Sequence, residues 1–203
     1  MHRKPVEITV IGDSLALGTG ASRGTNGFAF RLYSRIVAQR PGSEITNYAI
    51  GGAVASDVLR LEVDRIRERR ADCIIVCVGG NDVIRQTSPE SFGSTYRALL
   101  TGVRARASHA RIVVLGVPDV SISPILQDRG QRVRALAREL DGRVRFAARD
   151  AHAAYVDLFA LTQRVRDPAT YLSADHFHPS DRGHDLIARA ALPVLEAALN
   201  ARQ

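Results

Sequence analysis

A hydroxyl, an imidazole and a carboxylate recur in this 203-residue chain at places where loops of one fold can bring them together. Ser14 stands in Gly12-Asp13-Ser14-Leu15, directly after an apolar run. Gly12 and Asp13 let the backbone turn sharply there and present the hydroxyl. His178 lies in Asp175-His176-Phe177-His178-Pro179, and an imidazole titrates close enough to neutrality to take the serine proton. Asp175, three residues earlier, can hold the imidazole tautomer and stabilise the imidazolium, and so short a spacing lets one loop deliver both groups. Acyl transfer at neutral pH needs this set together with donors for the oxyanion. Gly52 can offer a backbone N–H, Asn81 a side-chain amide that donates without titrating, and Ser14 its own N–H.

These residues need a frame. Short β-branched runs at Val6–Ile11, Glu44–Ala49, Cys73–Val78, Arg111–Gly116 and Ala154–Leu158 read as buried strands. Helical spacing marks Phe28–Gln39, Ser56–Arg70, Pro89–Arg106, Arg129–Arg149 and Ser180–Asn200; Ser88-Pro89-Glu90 is a helix-start signal. The alternation predicts an α/β fold, a three-layer α/β/α sandwich on a flavodoxin-like five-stranded parallel sheet. With no repeat or linker-like stretch, one domain over residues 1–203 is expected. In such a sheet the ligand site lies at the carboxyl ends of the strands. The segments carrying Ser14, Gly52, Asn81 and Pro118-Asp119 each follow a strand, so the chemistry falls at one edge.

Gly12-Asp13-Ser14-Leu15, Gly52 after Asn47-Tyr48-Ala49, Gly79-Gly80-Asn81-Asp82 and Asp175-His176-Phe177-His178 resemble, in order and spacing, the four blocks of the SGNH/GDSL hydrolase family. The resemblance runs from about residue 6 to residue 190. It implies Ser14, Asp175 and His178 as catalytic residues, Gly52 and Asn81 as completing the oxyanion hole, and the SGNH hydrolase fold. Gly51 and Gly52 are adjacent, and the spacing from Asn47 favours Gly52. The family holds esterases, lipases, thioesterases and carbohydrate acetylesterases, so the resemblance leaves the substrate open.

Other chemistries fit less well. His176, His178 and Asp175 could suggest zinc, but no second cluster of ligands has matching spacing, so neither metal nor cofactor is expected. His184 reads as a helix-surface or cap residue. Gly18-Thr19-Gly20 lacks the glycine offset of a nucleotide loop, and the absence of G-x-S-x-G argues against the α/β-hydrolase fold. Asp13 and Asp82 read as acceptors of backbone N–H groups, Tyr48 and Phe28 as core or pocket wall. In Val117–Leu126 the apolar residues Ile122 and Ile125 suggest an acyl-binding wall or lid.

Composition sets the setting. Hydrophobic residues make up 45% and charged residues 24%, ordinary for a globular protein. The net charge of +7 rests on arginine, Lys4 being the only lysine. Arg65, Arg67, Arg69 and Arg70, and Arg129, Arg132, Arg134 and Arg138, interleave with acids on helix faces. Aromatic residues are 5%, and no basic stripe with aromatics marks a nucleic-acid surface. No apolar run reaches the length of a membrane span. Cys73 and Cys77 share a strand face about 13 Å apart, too far to bridge. Glu7 interrupts the first apolar run, which leads straight into the Ser14 segment, so the chain reads as cytoplasmic and uncleaved.

The expected activity is hydrolysis of a small or medium acyl ester or thioester through an acyl-enzyme. The alternatives are acyl transfer to a sugar or other alcohol with the same residues, and a non-catalytic binding module. The oligomeric state stays open.

Overall fold

The structure, a computed structural model, describes residues 3–67 and 70–201. Five strands, β1 (Glu7–Gly12), β2 (Glu44–Asn47), β3 (Cys73–Cys77), β4 (Arg111–Leu115) and β5 (Ala154–Val156), form one parallel sheet in the order β2-β1-β3-β4-β5. This is the flavodoxin-like arrangement. The helices are α1 (Ser14–Leu17), α2 (Phe28–Gln39), α3 (Ala55–Leu61), α4 (Gly80–Ile84), α5 (Pro89–Arg106), α6 (Gly130–Asp150), α7 (Leu158–Gln163), α8 (Pro168–Tyr171) and α9 (Asp181–Asn200).

The pleat sends alternate side chains to opposite faces; β1, β3 and β4 are largely buried on both, whereas the edge strand β2, expected as buried, is exposed at Glu44, Thr46 and Asn47 because nothing pairs beyond it. Ile74, Val76, Ile112 and Val114 join a core with Val58 of α3, Phe92, Tyr96 and Leu99 of α5, and Leu140 and Val144 of α6. Cys73, Ile75, Cys77, Val113 and Leu115 join the other, with Leu32 and Ile36 of α2 and Ala191 and Leu195 of α9. The two thiols are thus free, buried and on one face, acting as small hydrophobes. Two faces covered by helices make the expected three layers.

The register aligns the strand ends. Gly12 pairs with Cys77, Cys77 with Leu115, and Leu115 with Val156, so the segments that follow leave one edge side by side. Gly12 is constrained by this: at φ +147° a Cβ would lie 1.9 Å from the Cys77 carbonyl oxygen.

The segment expected as one helix from Ser56 to Arg70 is broken. α3 ends at Leu61, and Val63–Arg65 turn as a 3-10 segment. The turn buries the Glu62 carboxylate, whose Oε2 accepts the Gly12 N–H at 2.7 Å, while Val63 and Ile66 stay in the core. Glu68 and Arg69 lie outside the described residues. The last strand stops at Val156 because Asp157 caps α7, accepting the Ala160 N–H at 2.8 Å. Arginines of α6 meet acids: Arg134 meets Asp119 at 3.0 Å, Arg145 meets Asp157 at 2.6 Å and Arg143 meets Glu90 at 3.6 Å.

Candidate active site

Ser14 opens α1. Asp13 caps the turn by accepting the Leu15 N–H at 2.9 Å, and Gly18, at φ +91°, ends it in the left-handed region that glycine tolerates. The Ser14 hydroxyl therefore sits at a helix start just beyond the β1 edge.

From the other end of the chain, the segment between α8 and α9 brings in Asp175 and His178. His178 Nε2 lies 2.9 Å from Ser14 Oγ, and His178 Nδ1 lies 2.6 Å from Asp175 Oδ2. The second carboxylate oxygen, Oδ1, accepts the Ser173 hydroxyl at 2.7 Å and the N–H groups of Phe177 and His178 at 2.9 Å each. Burial pushes the Asp175 carboxyl up, but those hydrogen bonds and the one from His178 outweigh it and hold the group well below the usual carboxylate range. Nδ1 therefore donates to a carboxylate, leaving Nε2 to accept from Ser14.

Gly52 and Asn81 approach from the β2 and β3 ends. The Asn81 amide donates one N–H to the Ala53 carbonyl at 3.0 Å, which orients the group and leaves its second N–H to spare. Arg85 donates to the Gly52 carbonyl at 2.9 Å, and Gly52 adopts φ +78°. The N–H groups of Ser14 and Gly52 donate to nothing among the described residues.

Three buried carboxylates underlie these segments. Asp13 is pushed up to about 7 by burial, and Asp82, which accepts the Ala55 N–H at 3.0 Å, to about 6 by burial. Both take backbone N–H groups, as their sequence positions imply. Glu62 is the third, pushed up to about 7 by burial and, secondarily, by Asp13. Its Oε1 is buried and has no partner among the described residues. Sequence reasoning passed over Glu62 because a glutamate within an arginine-rich helical stretch looks like a solvent-facing residue.

His184 meets one of its two expectations, acting as a cap on Phe28, the first residue of α2. It is buried, not on the helix surface: Nδ1 accepts the Phe28 N–H at 3.2 Å and Nε2 donates to the Thr19 carbonyl at 3.0 Å. Burial lowers its pKa. The Leu15–Gly27 segment is further tied down by Asp181, which takes the Ser22 N–H and hydroxyl at 2.8 and 2.6 Å and the Asn26 amide at 3.0 Å. His176 takes a left-handed backbone, φ +58°, and its carbonyl accepts the Ser123 hydroxyl at 2.6 Å.

Ser14, Asn81 and His178 all open onto a cavity of about 100 Å³ between the strand ends and α7, α8 and α9. Ile122 lines it; Ile125 does not. In the 3-10 turn Pro124–Arg129, Leu126 is buried while Ile125 points outward, 61% exposed. Only one of the two expected wall residues therefore meets the cavity. Pro118 and Val120 of the same segment also line it, and much of the remaining apolar lining comes from segments read in the sequence as connections, including Leu161, Val165, Tyr171 and Leu172. The helix-start pairs Asp157-Leu158 and Asp167-Pro168 were the available signal for those short helices.

Known proteins share this architecture. A variant of Axe2, an acetyl xylan esterase from Geobacillus stearothermophilus, superposes with a TM-score of 0.75 at 21% identity over 100% of this chain and 99% of that one. The lipase/acylhydrolase from Enterococcus faecalis gives 0.75 at 18% identity over 95% of each chain. LAE5, an alpha/beta hydrolase enzyme from the metagenome of Lake Arreo, Spain, gives 0.76 at 22% over 98% of each. In sequence, Lipase 2 of Streptomyces coelicolor is 25% identical over an alignment covering all of this chain and 86% of that protein. The sequence model of the GDSL-like lipase/acylhydrolase family matches residues 10–186. With that match over most of its length, the chain belongs to the GDSL-like lipase/acylhydrolase family and is an ester-cleaving hydrolase.

Proposed function

We propose that this protein hydrolyses small to medium acyl esters or thioesters through a covalent intermediate on Ser14, with Asp175 and His178 completing a catalytic triad. The observation that carries the reading is the continuous hydrogen-bonded chain from Ser14 Oγ through His178 to Asp175 at the mouth of the cavity.

Ser14 Oγ attacks the acyl carbon as its proton passes to His178 Nε2, and the carbonyl becomes a tetrahedral oxyanion. The N–H groups of Ser14 and Gly52 and the spare amide N–H of Asn81 stabilise that charge. Asp175 holds the Nδ1–H tautomer and stabilises the imidazolium. His178 then returns the proton to the departing alcohol or thiol, the bond from carbon to the leaving group breaks, and Ser14 is left acylated. Water gives a proton to His178 and attacks the acyl carbon; collapse releases the acid and restores the serine. No step calls for a metal or a cofactor.

Two free, buried cysteines support a reducing, cytoplasmic setting. Among the described residues no helix is long and apolar enough to cross a membrane. The arginines of α6 that meet acidic partners support a small-molecule substrate over nucleic acid.

Stopped-flow release of p-nitrophenol from the acetate, butyrate and octanoate esters tests the reading. The wild type gives a burst of about one equivalent per active site, and Ser14→Ala gives none. Turnover by Ser14→Ala at the wild-type rate would move the nucleophile elsewhere.

A further inference from the structure

The cavity beside Ser14 has a chemical character that the assignment of the nucleophile does not require. Its far wall combines Leu161 and Val165 from α7 and the residues after it, Tyr171 and Leu172 around α8, and Leu186 and Ile187 from α9.

Apart from Ser14, His178, Asn81 and Tyr171, the polar side chains at its edge are engaged within the protein. Asp119 meets Arg134 at 3.0 Å and accepts the Ser121 N–H at 3.1 Å. Thr162 accepts the Asp119 N–H, while its hydroxyl lies 2.9 Å from the Leu158 and Phe159 carbonyls. Asp13 is held by the Leu15 N–H. A sugar or a charged head group would find few free partners there, and burying its polar atoms unpaired is costly. Alkyl groups meet no such penalty. On the outer side of the catalytic chain, Asp175 is 45% exposed, so the leaving alcohol faces water.

Resting on Ser14 as the nucleophile, we propose that this cavity is the acyl pocket and that it selects unbranched acyl chains of about four to six carbons. Size sets the range. An apolar cavity of about 150 Å³ accepts a guest the size of benzene, and the volume here is about 100 Å³. Acetyl leaves most of the apolar wall uncovered. Each further methylene that enters gains roughly fourfold in kcat/KM, the burial of one CH2, until the space is filled. The specificity-determining residues are Leu161 and Leu186, which contribute to the lining from α7 and α9.

The test is kcat/KM for p-nitrophenyl acetate, butyrate, hexanoate, octanoate and decanoate with the wild type, Leu161→Trp, Leu161→Ala and Leu186→Phe. A fluorophosphonate probe is titrated against Ser14 in each to count folded, competent sites. The wild type peaks at butyrate or hexanoate and falls about tenfold or more by decanoate. Leu161→Trp and Leu186→Phe each lower the hexanoate-to-acetate ratio about tenfold, and Leu161→Ala moves the peak to longer chains. If every variant labels fully but keeps the wild-type ratios, the pocket assignment is overturned and the nucleophile stands. A wild-type preference for acetate, or one rising through decanoate, overturns it as well. Failure of the probe to label wild-type Ser14 overturns both.

Discussion

The Gly12 N–H donates to the buried Glu62 carboxylate at 2.7 Å, joining the end of α3 to the strand that presents Ser14 across 50 residues of sequence. Gly12 also leaves no room for a side chain, because the Cys77 carbonyl occupies the place of its Cβ. The segment that presents Ser14, the proposed nucleophile, is therefore held from two sides.

Removing the Glu62 carboxylate strands the Gly12 N–H in a buried place, which costs about 1–3 kcal/mol. Glu62→Ala is accordingly destabilised by that amount in urea denaturation, while Glu62→Gln, which keeps an acceptor, loses less. Equal losses in the two variants would show that packing volume, and not the hydrogen bond, is what Glu62 supplies.

The same residue predicts a pH dependence. Burial raises the Glu62 pKa to about 7, so the folded state binds a proton that the unfolded chain releases near the usual value of about 4.3. Stability from this group is full below the unfolded value and is lost as pH rises through about 7. Glutamine does not titrate, so Glu62→Gln gains on the wild type between about pH 5 and about pH 8. Denaturation curves for both proteins across that range check it; a constant difference would mean that Glu62 titrates as an ordinary glutamate.

Asp175 accepts from His178 Nδ1 at 2.6 Å and from three further donors through its other oxygen. Asp175→Asn keeps the size but removes the charge that holds the tautomer, and kcat falls roughly 10²–10⁴-fold. Asn81→Ala removes the proposed oxyanion donor and lowers kcat by about 10²–10³. Steady-state kinetics on butyrate ester measures both, and a change confined to KM would argue against either role.

His184 accepts at Nδ1 and donates at Nε2, which requires the neutral imidazole. Its pKa is lowered by burial, so its contribution is present above the unfolded value of about 6.5 and is lost as pH falls through the folded one. His184→Ala leaves the Phe28 N–H and Thr19 carbonyl without their partner and destabilises the protein by about 1–3 kcal/mol. The penalty relative to wild type shrinks as pH falls below about 6, which thermal melts across that range would show.

Ile122 lines the cavity and Ile125 faces out. Ile122→Ala therefore weakens butyrate, which fits within the cavity, more than acetate, while Ile125→Ala changes neither by more than about twofold, as is usual for a surface substitution. Equal chain-length effects from both would restore the whole Val117–Leu126 segment as a lid.

Much of this was determined by the sequence alone. Short, β-branched apolar runs such as Cys73–Cys77 read as central strands, and their alternation with amphipathic helices points to the parallel sheet and its carboxyl edge. Ser14, Asn81, Asp175 and His178 could be singled out because few residue types serve this chemistry and each follows a structural boundary. Glu62, His184 and the cavity wall were settled only by the tertiary structure. Whether a glutamate faces water or the Gly12 N–H depends on a break in a helix, and the broken helix has nearly the same local pattern as an unbroken one. Leu161, Val165 and Leu186 likewise look like ordinary packing residues. They become a pocket only where α7, α8 and α9 meet the strand ends, through contacts far apart in the chain that no local periodicity records.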